Sequence, residues 1–193
     1  STLFPYTTLF RSRSMKLLID KAQKSVCEVV KKNGYGSGFF SKITIENKEI
    51  LCLFTNNHVI TYDMISDKED LEILLDSKKY IIPLNADRRI WSDDSIDYTC
   101  IEILEKDNII ITDLLEIDKN CYNTEFEIEE YNKKGIVNTS IGHKKEIELP
   151  QGVIYCVSDR EDKFFHDCNT ESGFSGGALI LIKSLTIIGI HCG

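Results

Sequence analysis

Short runs of β-branched and aromatic residues recur along this chain, and polar or glycine-containing segments separate them. Such runs predict β-strands that are joined by turns. In the first half of the chain the predicted strands cover residues 26–30, 39–45, 50–54, 71–75, 80–82 and 97–103. In the second half they cover residues 125–131, 135–141, 152–157, 177–182 and 185–190. Many short strands at this spacing favour a sandwich or barrel over a parallel α/β sheet, so we predict an all-β fold.

A mixed, acidic segment at residues 106–119 separates the two groups of strands, and we place a linker between two sub-domains there. Residues 15–25 are predicted to form a short amphipathic helix ahead of the first group. Residues 1–14 lack helix or strand periodicity, and we interpret them as a leader or sequencing artefact before Met15. The chain stops at Gly193 directly after an apolar strand, so we expect the second sub-domain to be incomplete at its C-terminus.

The charge of the chain argues against a nucleic acid partner, and its sequence pattern argues against a membrane partner. It has 31 acidic and 23 basic residues, which gives a formal net charge of −8. No basic stripe is long enough to follow a phosphate backbone, so we expect no nucleic acid partner. The sequence shows neither a signal peptide nor a transmembrane segment, which predicts a cytoplasmic protein without a membrane partner.

The cysteines favour a reducing compartment. There are seven of them, an odd number, and most lie inside apolar runs that are predicted to be strands. Free cysteine usually behaves as a small buried hydrophobic residue, so we predict free, buried thiols. None of the cysteines shows C-x-x-C spacing, so a zinc site is not indicated, and we expect neither a metal nor a cofactor.

One short motif carries the chemistry of the chain. Ser175 lies within G-x-S-G-G and leads directly into an apolar strand. A serine hydroxyl becomes a good nucleophile when an imidazole takes its proton, and neighbouring glycines let backbone N–H groups converge on a developing oxyanion. His58 follows a predicted strand, Asp97 comes 39 residues later, and Ser175 comes 78 residues after that. A Gly-Ser-Gly cluster alone also fits an ordinary turn, but this spacing favours a nucleophile with its base and orienting acid.

Each member of this set has competitors. Asp93 and Asp94 lie near Asp97, but only Asp97 directly precedes an alternating strand, so we prefer Asp97. The remaining histidines are alternatives to His58 as the base, although none of them lies in a Thr-Asn-x-His context: His143, His166 and His191. For His143, the default interpretation is a surface histidine without a partner.

The motifs resemble those of the chymotrypsin-like (trypsin-like) serine peptidases, especially the HtrA-like and bacterial branch. The resemblance covers residues 26–193 and rests on Thr55-Asn56-Asn57-His58-Val59, on the G-x-S-G-G motif and on Gly36-Ser37-Gly38-Phe39. It implies two six-stranded-type antiparallel β-barrels, with the active site in the cleft between them. The first barrel would cover residues 26–105, and the second, truncated barrel would cover residues 120–193.

The resemblance also implies a role for each site residue. Ser175 would attack the scissile carbonyl, His58 would take and return its proton, and Asp97 would orient the imidazole. The N–H groups of Gly173 and Ser175 would form the oxyanion hole. In the activated digestive enzymes, an aspartate just before the serine receives a new N-terminal amine. This chain has Phe174 at that position, so we do not expect activation by this zymogen mechanism.

Two further residues resemble the specificity pocket of the bacterial glutamyl endopeptidases. Thr170 precedes the nucleophile and His191 follows the last predicted strand, at the places where that family has pocket residues. Both side chains could hydrogen-bond a substrate carboxylate, which implies a preference for an acidic residue before the cleaved bond. A structural role for His191 is the alternative.

The resulting hypothesis is a serine endopeptidase that acts on polypeptides. The second hypothesis is a catalytically inactive, protease-like module that binds a peptide or protein in the same cleft. The oligomeric state stays open. A serine-directed probe separates the two hypotheses, because only an activated serine reacts with it.

Overall fold

The computed structural model describes residues 5–32, 34–123, 127–158 and 163–193 of the chain. The strands within these ranges are β1 (Val26–Lys31), β2 (Gly34–Ile45), β3 (Lys48–Thr55), β4 (Asp70–Leu75), β5 (Lys78–Pro83), β6 (Ile90–Asp93), β7 (Tyr98–Glu102), β8 (Glu116–Ile117), β9 (Gly135–Ile141), β10 (Ile147–Glu148), β11 (Gln151–Val157), β12 (Phe164–His166), β13 (Ala178–Leu181) and β14 (Thr186–Ile190). The α-helices are α1 (Pro5–Ser25) and α2 (Tyr62–Ser66). The all-β prediction is confirmed.

The first sheet has seven strands in the order β5-β4-β1-β2-β3-β7-β6, and every neighbouring pair is antiparallel. Two of its hairpins turn on residue pairs that both have positive φ, namely Glu46–Asn47 and Asp76–Ser77. Positive φ at both central residues gives the turn type whose twist matches that of the flanking strands. The sequence placed turns at both positions, and the structure agrees.

The second sheet follows the order β12-β11-β9-β13-β14-β8, and β10 adds to β9 as a seventh strand. Within the described residues, each sheet therefore has one strand more than the six expected for a barrel. Most of the pairs are antiparallel, but β8 pairs with β14 in parallel, with Glu116 opposite Thr186. Strand β8 comes from the segment that follows the first sheet, so the end of this segment is part of the second sheet.

One predicted strand is wrong. The sequence predicted a strand over residues 125–131, but Ile128–Tyr131 forms a 3₁₀ helix, and residues 125 and 126 lie outside the described residues. The Tyr131 side chain, which suggested a strand, is nevertheless buried. It packs against Ile136 and Ile154 of the second sheet. Burial of a single aromatic residue does not distinguish a strand from one helical turn.

Helix α1 begins at Pro5, before Met15, and it packs against the sheets through Leu18 and Ala22, which are fully buried. These two side chains belong to a hydrophobic cluster that also contains Phe39 and Phe54 of the first sheet and Val137 of the second. The cluster therefore joins the two sheets.

The cysteine prediction is only partly correct. All seven cysteines are free, and Cys27, Cys52, Cys100 and Cys168 are buried, whereas Cys121, Cys156 and Cys192 are exposed. The exposed thiol of β11 illustrates the reason. Cys156 lies in a sheet-edge hairpin whose outer face is open to solvent, so an apolar run does not ensure burial there.

A buried ion pair lies beside the first sheet. The Arg88 guanidinium donates to both carboxylate oxygens of Asp107 at 2.8 and 2.9 Å, and both side chains are almost completely buried. The carboxylate also accepts a hydrogen bond from the Leu104 N–H at 2.8 Å. Burial raises the pKa of Asp107, but the hydrogen bonds from Arg88 and Leu104, together with the Arg88 charge, outweigh burial and lower the pKa below its usual value.

Candidate active site

His58 lies in a tight turn at the end of β3. The carbonyl of Asn56 accepts hydrogen bonds from the N–H groups of Val59 and Ile60 at 3.2 and 3.1 Å, so the chain reverses as soon as the strand ends. Val59 and Ile60 are buried, and they anchor this turn in the core of the first sheet. The imidazole of His58 is left 46% exposed, on the side of the turn that faces the second sheet.

Asp97 contacts His58 through both carboxylate oxygens. Oδ2 lies 2.7 Å from the imidazole Nδ1, and Oδ1 accepts the His58 backbone N–H at 2.9 Å. Asp97 has a left-handed backbone with φ of 55°, and its carbonyl accepts a hydrogen bond from the Asn56 side chain at 2.9 Å. Because a carboxylate only accepts, a neutral imidazole carries its proton on Nδ1 and leaves Nε2 free to act as a base.

The competing aspartates lie elsewhere. The Asp93 carboxylate accepts hydrogen bonds from the backbone N–H and the hydroxyl of Ser95, and these bonds lower its pKa. Asp94 is exposed in the same loop. The structure thus brings Asp97 to His58, and it engages Asp93 in a local turn.

The loop that carries Ser175 is held between the two sheets. The Ser175 carbonyl accepts the N–H of Ser37 in β2 at 2.7 Å, and Gly176 donates to the carbonyl of His191 at 2.9 Å. Gly176 has φ of 92°, and a Cβ there would lie 1.9 Å from the Ser37 carbonyl oxygen, so only glycine fits. These contacts fix the peptide unit that follows Ser175.

The Ser37 side chain is a contact that the sequence motif did not reveal. Its hydroxyl donates to the Gly173 carbonyl at 2.8 Å and accepts the Ile141 N–H at 2.7 Å. Ser37 therefore connects β2, the Ser175 loop and β9 through one fully buried residue. The Gly-Ser-Gly-Phe motif identified the residue, but its role depends on strands that are far apart in the sequence.

Two backbone N–H groups of the Ser175 loop, those of Gly173 and Ser175, are available to a ligand. The Phe174 N–H is used, because it donates to the Glu171 carbonyl at 3.2 Å, and the Phe174 ring is buried. Among the described residues, neither the Gly173 N–H nor the Ser175 N–H has a hydrogen-bond acceptor. Gly173 has φ of 99°, which glycine adopts without strain.

His58, Ser175 and Gly173 line one cleft of about 460 Å³, together with Thr170 and His191. The structure thus brings all the predicted site residues except Asp97 to one surface, and Asp97 lies directly behind His58. Within the described part of the chain, the Ser175 hydroxyl and the His58 imidazole do not form a hydrogen bond with each other. Catalytic hydrogen bonds often form fully only when substrate binds.

His191 is buried and is paired with a second histidine. Its Nδ1 lies 3.1 Å from Nε2 of His166, and the Cys168 N–H donates to Nδ1 of His166 at 3.2 Å. Nδ1 of His166 is therefore an acceptor, so a neutral His166 carries its proton on Nε2 and donates to His191. His191 must then carry its own proton on Nε2, where it can donate to a ligand in the cleft.

Burial keeps both of these imidazoles neutral. Desolvation, followed by the nearby His166 and His58, lowers the pKa of His191 to about 4. Desolvation also lowers the pKa of His166. At neutral pH the pair offers a hydrogen-bond donor without a positive charge. The sequence raised His166 only as a rival base, because nothing in its local pattern links it to a residue 25 positions away.

No cluster of three or more histidine, cysteine or acidic side chains suited to a metal ion occurs within the described ranges. Among the helices of these same ranges, none combines the length and the apolar character that crossing a bilayer requires.

No family model matches the chain, and no curated protein matches its sequence, but solved structures do match it. The serine endoprotease from Yersinia pestis is 18% identical with a TM-score of 0.63, and the match covers 92% of this chain and 56% of that chain. Deg5 is 16% identical with a TM-score of 0.66, over 100% of this chain and 88% of the other. Rv3671c from M. tuberculosis H37Rv, in an inactive form with a serine-to-alanine mutation, is 13% identical with a TM-score of 0.62, over 100% and 83%.

These likenesses define the fold. The chain has the chymotrypsin-like fold of the trypsin-like serine proteases, so the predicted double β-barrel architecture is confirmed. At 13 to 18% identity these likenesses extend to the fold that the chain shares with Deg5 and the Yersinia serine endoprotease. The chain spans just over half of the length of the Yersinia protein.

Proposed function

We propose that this chain is a serine endopeptidase in which Ser175 is the nucleophile, His58 is the general base and Asp97 orients the base. The observation that carries the proposal is the double contact between His58 and Asp97, whose Oδ2 lies against the imidazole Nδ1 and whose Oδ1 accepts the His58 backbone N–H, beside the cleft that His58 and Ser175 both line. The protease fold supports the same assignment. The substrate class is polypeptide, and no cofactor or metal takes part.

The chemistry follows from these positions. Ser175 Oγ bonds to the carbonyl carbon of the substrate, its proton passes to His58 Nε2, and the carbonyl electron pair moves onto oxygen. The Gly173 and Ser175 N–H groups stabilise that oxyanion. The C–N bond then breaks, His58 gives its proton to the leaving amine, and an ester to Ser175 remains. Water repeats the sequence and releases the acid.

The pocket supports a preference for glutamate before the cleaved bond. The neutral His191 offers its Nε2 proton, and the exposed Thr170 offers a hydroxyl on the same cleft. A hydrogen bond to a carboxylate contributes about 1 to 1.5 kcal/mol more than one to a neutral amide. Peptides with glutamate at this position should therefore be cut about tenfold faster than those with glutamine.

Two experiments test this proposal. A fluorophosphonate probe should label the wild-type protein at Ser175, and Ser175→Ala should abolish the label. A peptide panel that differs only at the residue before the cleaved bond should show the order glutamate, glutamine, then lysine and phenylalanine. Equal rates across the panel would exclude the acidic preference and leave the peptidase assignment intact.

A second candidate function is a protease-like module that binds a peptide without cutting it. It is favoured by the lack of a hydrogen bond between Ser175 and His58 in the described residues. A folded wild-type protein that binds peptides in the cleft, but neither reacts with the probe nor cleaves them, would support this candidate. The free state of all seven cysteines suits a reducing compartment for either function.

A further inference from the structure

Tyr35 lies in β2 beside the loop that carries Gly173, and it contacts this loop in two ways. Its ring packs against Gly173 so closely that a Cβ there would lie 2.2 Å from a ring carbon. Its hydroxyl lies 3.0 Å from the Gly142 carbonyl and 3.2 Å from the Ser172 carbonyl, and it can donate to either. Burial, followed by the nearby Glu171 and Glu28, raises the pKa of Tyr35, so the hydroxyl keeps its proton.

The contact with Ser172 bears directly on the oxyanion hole. The Ser172 carbonyl and the Gly173 N–H belong to the same peptide unit, which is planar and trans, so they point in opposite directions. A hydrogen bond that fixes this carbonyl therefore also fixes the direction of the Gly173 N–H. The restraint matters because glycine rotates more freely than any other residue and would otherwise let this peptide turn over.

The ring of Tyr35 is itself held in place. The Lys145 ammonium lies 5.2 Å from the ring centroid, and it pairs with the Glu28 carboxylate at 2.5 Å. The Glu28 side chain is only 4% exposed, so this pair is fixed on one side by the core. The Glu171 carboxylate accepts the His143 N–H and ties the same loop to the β9–β10 turn.

We propose that Tyr35 is a positioning residue that orients the Ser172–Gly173 peptide so that the Gly173 N–H faces the substrate oxyanion, with Glu28 and Lys145 holding its ring. This role rests on the proposed peptidase function. The Gly173 N–H meets an oxyanion only in the transition state, because the oxyanion forms only when Ser175 attacks. Losing the restraint should therefore lower kcat and leave KM nearly unchanged.

The test uses Tyr35→Phe, which keeps the ring and removes the hydroxyl. We expect kcat to fall about tenfold, less than the 10² to 10³ typical for complete loss of a donor, because the N–H remains present. The matched control is Tyr62→Phe, which removes the hydroxyl of a tyrosine that is 71% exposed in α2. This control should match the wild type.

A peptide aldehyde and the corresponding peptide alcohol separate positioning from general damage. When Ser175 Oγ bonds to the aldehyde carbon, the C=O π bond breaks, its electron pair makes the carbonyl oxygen an oxyanion in the hole, and the serine proton passes to His58. The alcohol only fills the cleft. Tyr35→Phe should weaken the aldehyde about tenfold and leave the alcohol unchanged. Equal losses for both inhibitors, or no loss for either, would overturn the role of Tyr35. A wild-type protein that neither cuts peptides nor binds the aldehyde more tightly would overturn the peptidase function as well.

Discussion

Replacing Asp97 with asparagine should lower kcat by between about 10² and 10⁴. At the observed 2.7 Å, the attraction between a carboxylate and an imidazolium is about 6 kcal/mol at an effective dielectric of 20 and about 1.5 kcal/mol in bulk water. His58 is about half exposed, so we take a value of about 3 kcal/mol, which corresponds to roughly 10² in rate. Losing the charge alone accounts for this lower limit.

The upper limit comes from the tautomer of His58. Asparagine has one acceptor where aspartate has two, and the His58 backbone N–H already needs one. If the amide oxygen meets that N–H, the amide nitrogen faces Nδ1 and forces the imidazole proton onto Nε2. An imidazole protonated at Nε2 cannot accept the Ser175 proton. The same aspartate-to-asparagine substitution in another Ser-His-Asp triad lowers kcat by about 10⁴.

The assay is steady-state hydrolysis of a glutamate-containing peptide, together with the rate of fluorophosphonate labelling at Ser175. Asp93→Asn is the matched control, since the Asp93 carboxylate contacts Ser95. The control should stay within about twofold of the wild type. If folded Asp97→Asn retains more than about a third of the wild-type kcat, the assignment of Asp97 is refuted.

Two stability predictions follow from buried ionisable groups. Because its folded pKa of about 4 lies below the ordinary value of 6.5, His191 stabilises the fold fully above pH 6.5, and we expect up to about 3 kcal/mol of stability to be lost as the pH falls from 6.5 to 4. Chemical denaturation across this range should show a smaller loss for His191→Asn, and an equal loss would contradict the lowered pKa. Arg88→Met should cost about 3 to 5 kcal/mol by leaving Asp107 buried without its partner, whereas Lys106→Ala, at an exposed ion pair, should cost about 1 kcal/mol or less. A loss below about 1 kcal/mol for Arg88→Met would show that the buried pair contributes little.

Local patterns were enough to predict much of the fold. The hairpin turn at Asp76–Ser77 and the strand over residues 50–54 were visible because polar turn residues interrupt short apolar runs. The 3₁₀ helix Ile128–Tyr131 was missed because one buried tyrosine satisfies either structure. Strand β8 was missed because two residues, Glu116 and Ile117, carry no period of their own and depend on β14.

The candidate site shows the same division. His58, Asp97 and Ser175 could be proposed because each lies in a distinctive local pattern, and the structure places His58 and Ser175 on one cleft with Asp97 behind His58. The contacts of His166 with His191 and of Tyr35 with Ser172 were beyond the sequence, because they join segments that only the folded sheets bring together. The catalytic roles of all these residues stay predictions.

The central claim is that Ser175 is an activated nucleophile. It is tested most directly by mixing the protein with an activated glutamyl ester, quenching within the first turnover and mapping the added mass. We expect the acyl group on Ser175 in the wild type and none in His58→Ala. A folded wild-type protein that stays unmodified at Ser175, or that is acylated equally well without His58, would contradict the claim.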